Sequence, residues 1–262
     1  MSAPAPPLDR HLADEGRRLA EFALEAAELI RPLWRAGVPV TRKADSSPVT
    51  EADQRAEALI LERLASAYPG VVVVGEEGCA EGGTPKSAPE RFFLVDPLDG
   101  TRGFVSGSAE FTVNIALIEA GRPVAAAVAT PADGRVWLTT DSGAALRAGG
   151  QQRPIRVRPR PEEPLGLVSL SMGEAEAQRL GLRHGFLRWR GMNSSLKLVA
   201  IAEGAADVYP RTGPTSEWDI AAGQAVLEAA GGRVLTSDGA PLGYGKADKG
   251  FLNPPFTATG GR

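Results

Sequence analysis

Residues 91–101, Arg-Phe-Phe-Leu-Val-Asp-Pro-Leu-Asp-Gly-Thr, decide how this chain folds. Arg91 to Val95 is a short apolar run of strand type. Pro97 has no N–H to give to a ladder, so the strand is predicted to stop there. Gly100 permits a tight turn. Asp96, Asp99 and the Thr101 hydroxyl are then held on one loop at a strand's carboxyl end, where open sheets commonly bind ligands. Two carboxylates this close repel each other, and burying them unpaired is costly. A divalent cation removes that cost. Mg2+ takes hard oxygen ligands at about 2.0–2.1 Å, and a carboxylate can bridge two ions about 3.5–4 Å apart. Taken alone, the stretch reads equally well as a polar turn at the surface.

Two further acidic features flank it. Val71 to Val74 is a β-branched run, predicted to be a buried strand delivering Gly75-Glu76-Glu77 to a loop. By themselves those glutamates read as a solvated loop. Trp218-Asp219 precedes a small-residue helix predicted over 219–230, with Asp219 at the N-cap, a position that favours Asp for its own reasons.

The rest of the chain is read around these points. Leu12, Leu19, Phe22, Leu29 and Leu33 recur at helical spacing, which predicts an amphipathic helix over 8–36 ended near Gly37 and Pro39. A second helix is expected over 52–67 and a Gly/Pro/Ser-rich loop over 80–90. Residues 111–119, 123–130 and 134–140 read as antiparallel strands with turns at Ala120-Gly121 and Asp133-Gly134. Gly149-Gly150 and the basic stretch after it suggest a boundary. Residues 1–150 then form an α+β half and 151–262 an α/β half. In the second, strands are expected near 166–170, 205–209, 233–235 and 250–252, with helices near 174–181, 194–203 and 219–230. Arg153, Arg156, Arg158 and Arg160 alternate with Ile155 and Val157, as on an exposed edge strand.

Glu76-Glu77 after Gly75, then Asp96 to Thr101, then Trp218-Asp219 are preceded by Lys43-Ala-Asp45-Ser-Ser-Pro48-Val-Thr50-Glu-Ala-Asp53. In this order the chain resembles the inositol-monophosphatase-like, lithium-sensitive phosphatases. The resemblance implies a layered αβαβα sugar-phosphatase fold, two or three Mg2+ ions and inhibition by lithium. It implies that Glu76, Asp96 and the Leu98 carbonyl hold one metal, and that Asp96, Asp99 and Asp219 hold a second. Glu76 and Thr101 would orient and deprotonate the attacking water, and Asp53 matches an acidic position near a third metal. Gly100 and Thr101 would offer backbone N–H groups to the phosphate.

The substrate is read from the second half. In inositol monophosphatases the region leading up to the Trp-Asp pair carries an acidic residue that binds sugar hydroxyls; here the local residues are Pro210-Arg211 and then Gly-Pro-Thr. A guanidinium suits a second phosphate or a base. With Ser194-Ser195-Leu-Lys197 and Phe251-Leu-Asn-Pro254, this is similar to the bisphosphate-nucleotidase branch of the family. The implied reaction cleaves the 3'-phosphate of adenosine 3',5'-bisphosphate to give AMP, clearing a by-product of sulfate assimilation. Ser194, Ser195, Lys197 and Arg211 are the specificity candidates. Equally, Ser194 could cap its helix while Lys197 and Arg211 are simply solvated.

Composition limits the alternatives. A net charge of -3 argues against a nucleic-acid partner. Hydrophobic residues at 43% supply a sizeable core. Cys79 is the single cysteine, so no intrachain disulfide forms, and its surroundings lack the basic loop of a cysteine phosphatase. His11 and His184 lie outside every motif, which disfavours a histidine nucleophile. An aspartyl-phosphate mechanism needs aspartates two positions apart, whereas Asp96 and Asp99 are three apart. No signal peptide or membrane-length apolar run is read. A cytoplasmic monomer or homodimer is expected, in solution or peripheral at the inner membrane, acting on a small phosphorylated substrate. The competing readings are an inositol or fructose-bisphosphate phosphatase on the same scaffold, and a regulatory relative acting through protein contacts.

Overall fold

A computed structural model describes residues 12–37, 40–42 and 48–261. Residues 8–11, Pro39 and the Lys43–Ser47 portion of the first motif lie outside the described residues. In the first half, helix α1 (Leu12–Ala36) is followed by a ribbon of β1 (Val40–Arg42) and β2 (Pro48–Thr50), then α2 (Glu51–Ala67), β3 (Val72–Gly75), α3 (Glu76–Gly82), β4 (Arg91–Asp99) and α4 (Thr101–Val105). Strands β5 (Thr112–Glu119), β6 (Arg122–Ala129), β7 (Val136–Thr140), β8 (Gly143–Ala148) and β9 (Gln151–Ile155) complete a seven-stranded sheet in the order β3-β4-β5-β6-β7-β8-β9. Only its β3–β4 pair is parallel. The sheet therefore extends past Gly149-Gly150, which forms the β8–β9 turn, to Ile155.

In the second half come β10 (Leu165–Ser169), α5 (Glu174–His184), β11 (Arg188–Met192), α6 (Leu196–Ala202), β12 (Val208–Arg211), β13 (Thr215–Ser216), α7 (Glu217–Ala229), β14 (Arg233–Thr236), β15 (Leu252–Asn253) and β16 (Phe256–Thr259). A five-stranded sheet runs β11-β10-β12-β16-β14, and β13 pairs with β15.

Three apolar clusters show how these pieces stack. Leu19, Ala23, Ile30, Ile60, Val113, Ile115 and Leu117 pack α1 and α2 on one face of the first sheet. Ala116, Ile118, Ala126, Val128, Ala222, Val226, Leu198 and Tyr209 pack its other face, α6, α7 and the second sheet together. Val168, Ala177, Leu180 and Phe186 seat α5 on the far side of the second sheet. The layers are αβαβα, as the resemblance implied. Strand β5 is apolar on both faces because helices cover both. Helix α7 is buried nearly all round because it lies between two sheets. Gly223 on α7 is needed there: a Cβ would stand 2.5 Å from Leu198 Cδ1 on α6.

Several expectations change. Strand β4 does not stop at Pro97. It continues to Asp99 through a register shift between the Asp96–Asn114 and Asp99–Thr112 pairs, so Pro97 sits where no ladder donor is required. Glu76 and Glu77 open a short helix rather than a loop. The arginine run leaves the edge strand at Ile155. Arg153 pairs with Glu203 at 2.9 Å, Arg158 grips Asp207 through two bonds of 2.8 and 2.7 Å, and Arg160 donates to the carbonyls of His184 and Gly185. Among the described residues, no helix is long and apolar enough to cross a membrane.

Candidate active site

The β4 bulge and the turn after it set the first carboxylates. Asp96 is buried, and its Oδ1 accepts the Leu98 N–H at 3.0 Å, which fixes the Asp-Pro-Leu turn. Gly100 has φ +97°, in the left-handed region a side chain resists, and a Cβ would also lie 3.1 Å from the Glu110 carbonyl. Helix α4 then starts at Thr101. The Thr101 hydroxyl is within donating distance of the Leu98 carbonyl (3.2 Å) and Asp53 Oδ1 (3.3 Å). Asp53 is itself fixed at the start of α2: its Oδ2 accepts the N–H (2.8 Å) and hydroxyl (2.6 Å) of Thr50.

Asp219 arrives from the other half of the chain. It is not the N-cap of α7. Ser216 holds that place, and Asp219 stands three residues in, accepting the Ser216 N–H at 3.0 Å and the Thr215 hydroxyl at 2.5 Å. The same capping arrangement opens α2 with Thr50 and Asp53. One carboxylate oxygen each from Glu76, Asp96 and Asp219 lies within 4.8 Å of the other two. These residues form the floor of a cavity of about 620 Å³ that Asp99, Gly100 and Thr101 also line. Glu77, by contrast, is buried away from that cavity, and its N–H donates to Glu57 Oε1 at 3.2 Å.

The concentration of negative charge shows in the titration of these groups. Withdrawal from water, with repulsion from Glu76, Asp99 and Asp219, holds Asp96 well above the usual carboxylate range. Asp219 is pushed up to about 7, first by desolvation and then by Asp99. Asp99 is also raised by desolvation, but Lys197 and the Ser195 N–H pull against it. A floor of carboxylate oxygens with this excess charge fits hard divalent cations such as Mg2+.

The specificity candidates line the same cavity with distinct roles in the fold. Ser194 has φ +54°. Ser195 precedes α6 and is buried; its N–H donates to Asp99 Oδ2 and its hydroxyl to the Asp219 carbonyl, both at 2.6 Å. Lys197 is not solvated. Its Nζ donates to the carbonyls of Met192 (3.2 Å) and Ser194 (2.7 Å) and lies 5.2 Å from the Tyr209 ring centroid. Burial lowers its pKa to about 8. Arg211 spends Nε and Nη2 on the carbonyls of Gly213 and Pro214. A guanidinium has five N–H donors, so others remain. Asn114 on β5 was not singled out from sequence, although a polar residue inside the apolar run 113–118 is a readable signal. It is fully buried, and its Nδ2 reaches Asp99 Oδ2 at 3.4 Å.

The layered fold and the acidic cavity at its centre define the class, a phosphatase built from αβαβα layers. The chain belongs to the inositol monophosphatase family, whose profile matches residues 15–257. It is 39% identical over 242 residues to the 3'(2'),5'-bisphosphate nucleotidase CysQ of Escherichia coli (strain K12), covering 91% of this chain and 97% of that protein. The CysQ of Salmonella typhimurium is 38% identical over 245 residues, covering 92% and 98%. Among solved structures, CysQ from Bacteroides thetaiotaomicron superposes with a TM-score of 0.78 at 30% identity, covering 95% of this chain and 98% of that one. SuhB of Mycobacterium tuberculosis gives 0.72 at 28% identity, covering 96% and 93%.

Proposed function

We propose that this protein is a Mg2+-dependent phosphomonoesterase that removes the 3'-phosphate of adenosine 3',5'-bisphosphate. The observation that carries the reading is the convergence of Glu76, Asp96 and Asp219, from three distant segments, at the floor of one cavity. The curated relatives above, named as bisphosphate nucleotidases and covered nearly end to end, support the substrate.

Glu76, Asp96 and the Leu98 carbonyl would hold one ion, and Asp96, Asp99 and Asp219 a second. Bound there, Mg2+ supplies charge neutralisation for the phosphoryl group and lowers the pKa of water. The chain's own groups do the rest. Thr101, anchored on Asp53 and the Leu98 carbonyl, holds the attacking water in line with the phosphorus. Glu76 accepts one proton as the water oxygen bonds to phosphorus and the P–O3' bond breaks, the departing 3'-oxygen taking a proton from solvent. Asp53 holds the Thr101 hydroxyl in place. The N–H groups of Gly100 and Thr101, which line the cavity, would be offered to the phosphate oxygens. Arg211, Ser194 and the Lys197 strap shape the wall that meets the nucleotide and its second phosphate.

Phosphate release from adenosine 3',5'-bisphosphate, inositol 1-phosphate and fructose 1,6-bisphosphate, each with Mg2+ and with a chelator, tests the reading. Preferred turnover of the first, abolished by the chelator, is expected. Preference for inositol 1-phosphate would reject the substrate, and undiminished release under chelation would reject the mechanism.

A further inference from the structure

Ser195 makes two short contacts, one across to the first half of the chain and one within the second. Its N–H reaches Asp99 Oδ2 on the β4–α4 loop, and its hydroxyl reaches the main-chain carbonyl of Asp219 on α7. At 1% exposure, with the hydroxyl proton given to Asp219, it is not presented as a free donor to a ligand in the cavity. Asn114 supplies a second donor to the same Asp99 oxygen, from the position opposite Asp96 in the β4–β5 register. Asp99 Oδ2 is thus held from two sides in a residue that lines the cavity. The segment ahead of Ser195 is held as well: the Asn193 N–H donates to Glu110 Oε2 at 3.0 Å, and Lys197 Nζ grips the carbonyls of Met192 and Ser194. These bonds hold Ser194 at its positive φ.

We infer that Ser195 is a positioning residue for the metal site: it sets Asp99 of the first half against Asp219 of the second, and Asn114 completes the hold on Asp99. The inference rests on the proposed metal-dependent function. Groups that orient a metal's carboxylate ligands contribute to metal affinity without touching the substrate.

The test is direct binding of Mg2+ and Mn2+ to the metal-free protein by calorimetry, alongside the metal-induced rise in melting temperature. Ser195→Ala removes the hydroxyl bond to the Asp219 carbonyl and keeps the N–H bond to Asp99, so it probes the Asp219 side, while Asn114→Ala probes the Asp99 side. Ser195→Ala is expected to weaken binding by about tenfold. Its effect on turnover should be recovered by excess metal, with KM for adenosine 3',5'-bisphosphate at saturating metal unchanged. Ser195→Thr, which keeps the hydroxyl, should restore wild-type metal affinity, and Asn114→Ala should weaken it in the same direction as Ser195→Ala. If Ser195→Ala does not fold, the Asn114→Ala and Ser195→Thr measurements decide the matter by the same criteria. Unchanged metal affinity in Ser195→Ala and Asn114→Ala would overturn the inference. So would a raised KM that excess metal does not correct, because that is the signature of a substrate contact. A wild-type protein that binds metal in a Ser195-dependent manner yet hydrolyses no phosphomonoester would reject the proposed function and keep this inference.

Discussion

Asp219 serves its helix and the site with one carboxylate. It closes the first turn of α7 through Ser216 and Thr215, and the same group joins Glu76 and Asp96 around the cavity floor. Its raised pKa, about 7 against about 3.9 in an unfolded chain, has a definite sign. Between those values the unfolded chain releases the proton while the fold retains it. This group's contribution to the stability of metal-free protein is therefore fully present below pH about 3.9, and it is lost as pH rises through 7. Calorimetry of the metal-free protein should show a lower melting temperature at pH 8 than at pH 6, and Mg2+ should raise it more at pH 8. Asp219→Asn should reduce that pH dependence, leaving the part that Asp96 and Asp99 contribute. Both Asp99→Asn and Asp219→Asn should lower kcat by about a hundredfold or more while leaving the metal-free protein folded. A variant that loses turnover only by unfolding would contradict the assignment. The acidic residues were legible in the sequence because charged groups next to buried strands demand a reason. The engagement of Ser195 and Lys197 was not, because backbone carbonyls as partners leave no mark in sequence.

At the level of elements, β-branched and apolar runs gave β3, β5 and β6, while β8, β11 and β16 were missed. Strand β8 is largely alanine, which has little strand preference. Strand β11 mixes arginine, tryptophan and glycine, and β16 alternates buried and half-buried residues but over only four positions, too short a run to stand out. Pro97 misled because the rule against proline in a ladder holds only where a donor is needed, and a bulge removes that need. The α6–α7 contact makes a sharp prediction. Gly223 lies against Leu198, whose Cβ would be 2.8 Å from an added Cβ. Gly223→Val should destabilise the protein by roughly 1–3 kcal/mol through overpacking, read as a lower denaturant midpoint at constant slope. Unchanged stability would mean that the two helices separate freely.

Over the whole molecule, the cavity exists only because the two halves meet. Asp96, Asp99 and Thr101 come from the first, and Ser194, Lys197, Arg211 and Asp219 from the second. Glu203 receiving the Trp137 Nε1–H at 2.7 Å and Arg122 donating to Glu228 at 2.8 Å help to fix that meeting. Because Arg211 lines the cavity while part of its guanidinium holds the 213–214 turn, Arg211→Ala should reduce kcat/KM for adenosine 3',5'-bisphosphate by about tenfold or more and for inositol 1-phosphate by less. Equal losses on both would assign Arg211 to the turn alone. The sequence by itself determined the family, through the order of its acidic motifs, and through that resemblance it implied the layered fold and the acidic residues of the site, since motifs are local properties of the chain. Only the tertiary structure decided that Glu77 turns away from the cavity, that Ser195 faces Asp99 and Asp219, and that Lys197 is buried. Those outcomes depend on which segments are brought within hydrogen-bond distance by packing two sheets around α6 and α7, and spacing along a chain does not encode distances across it.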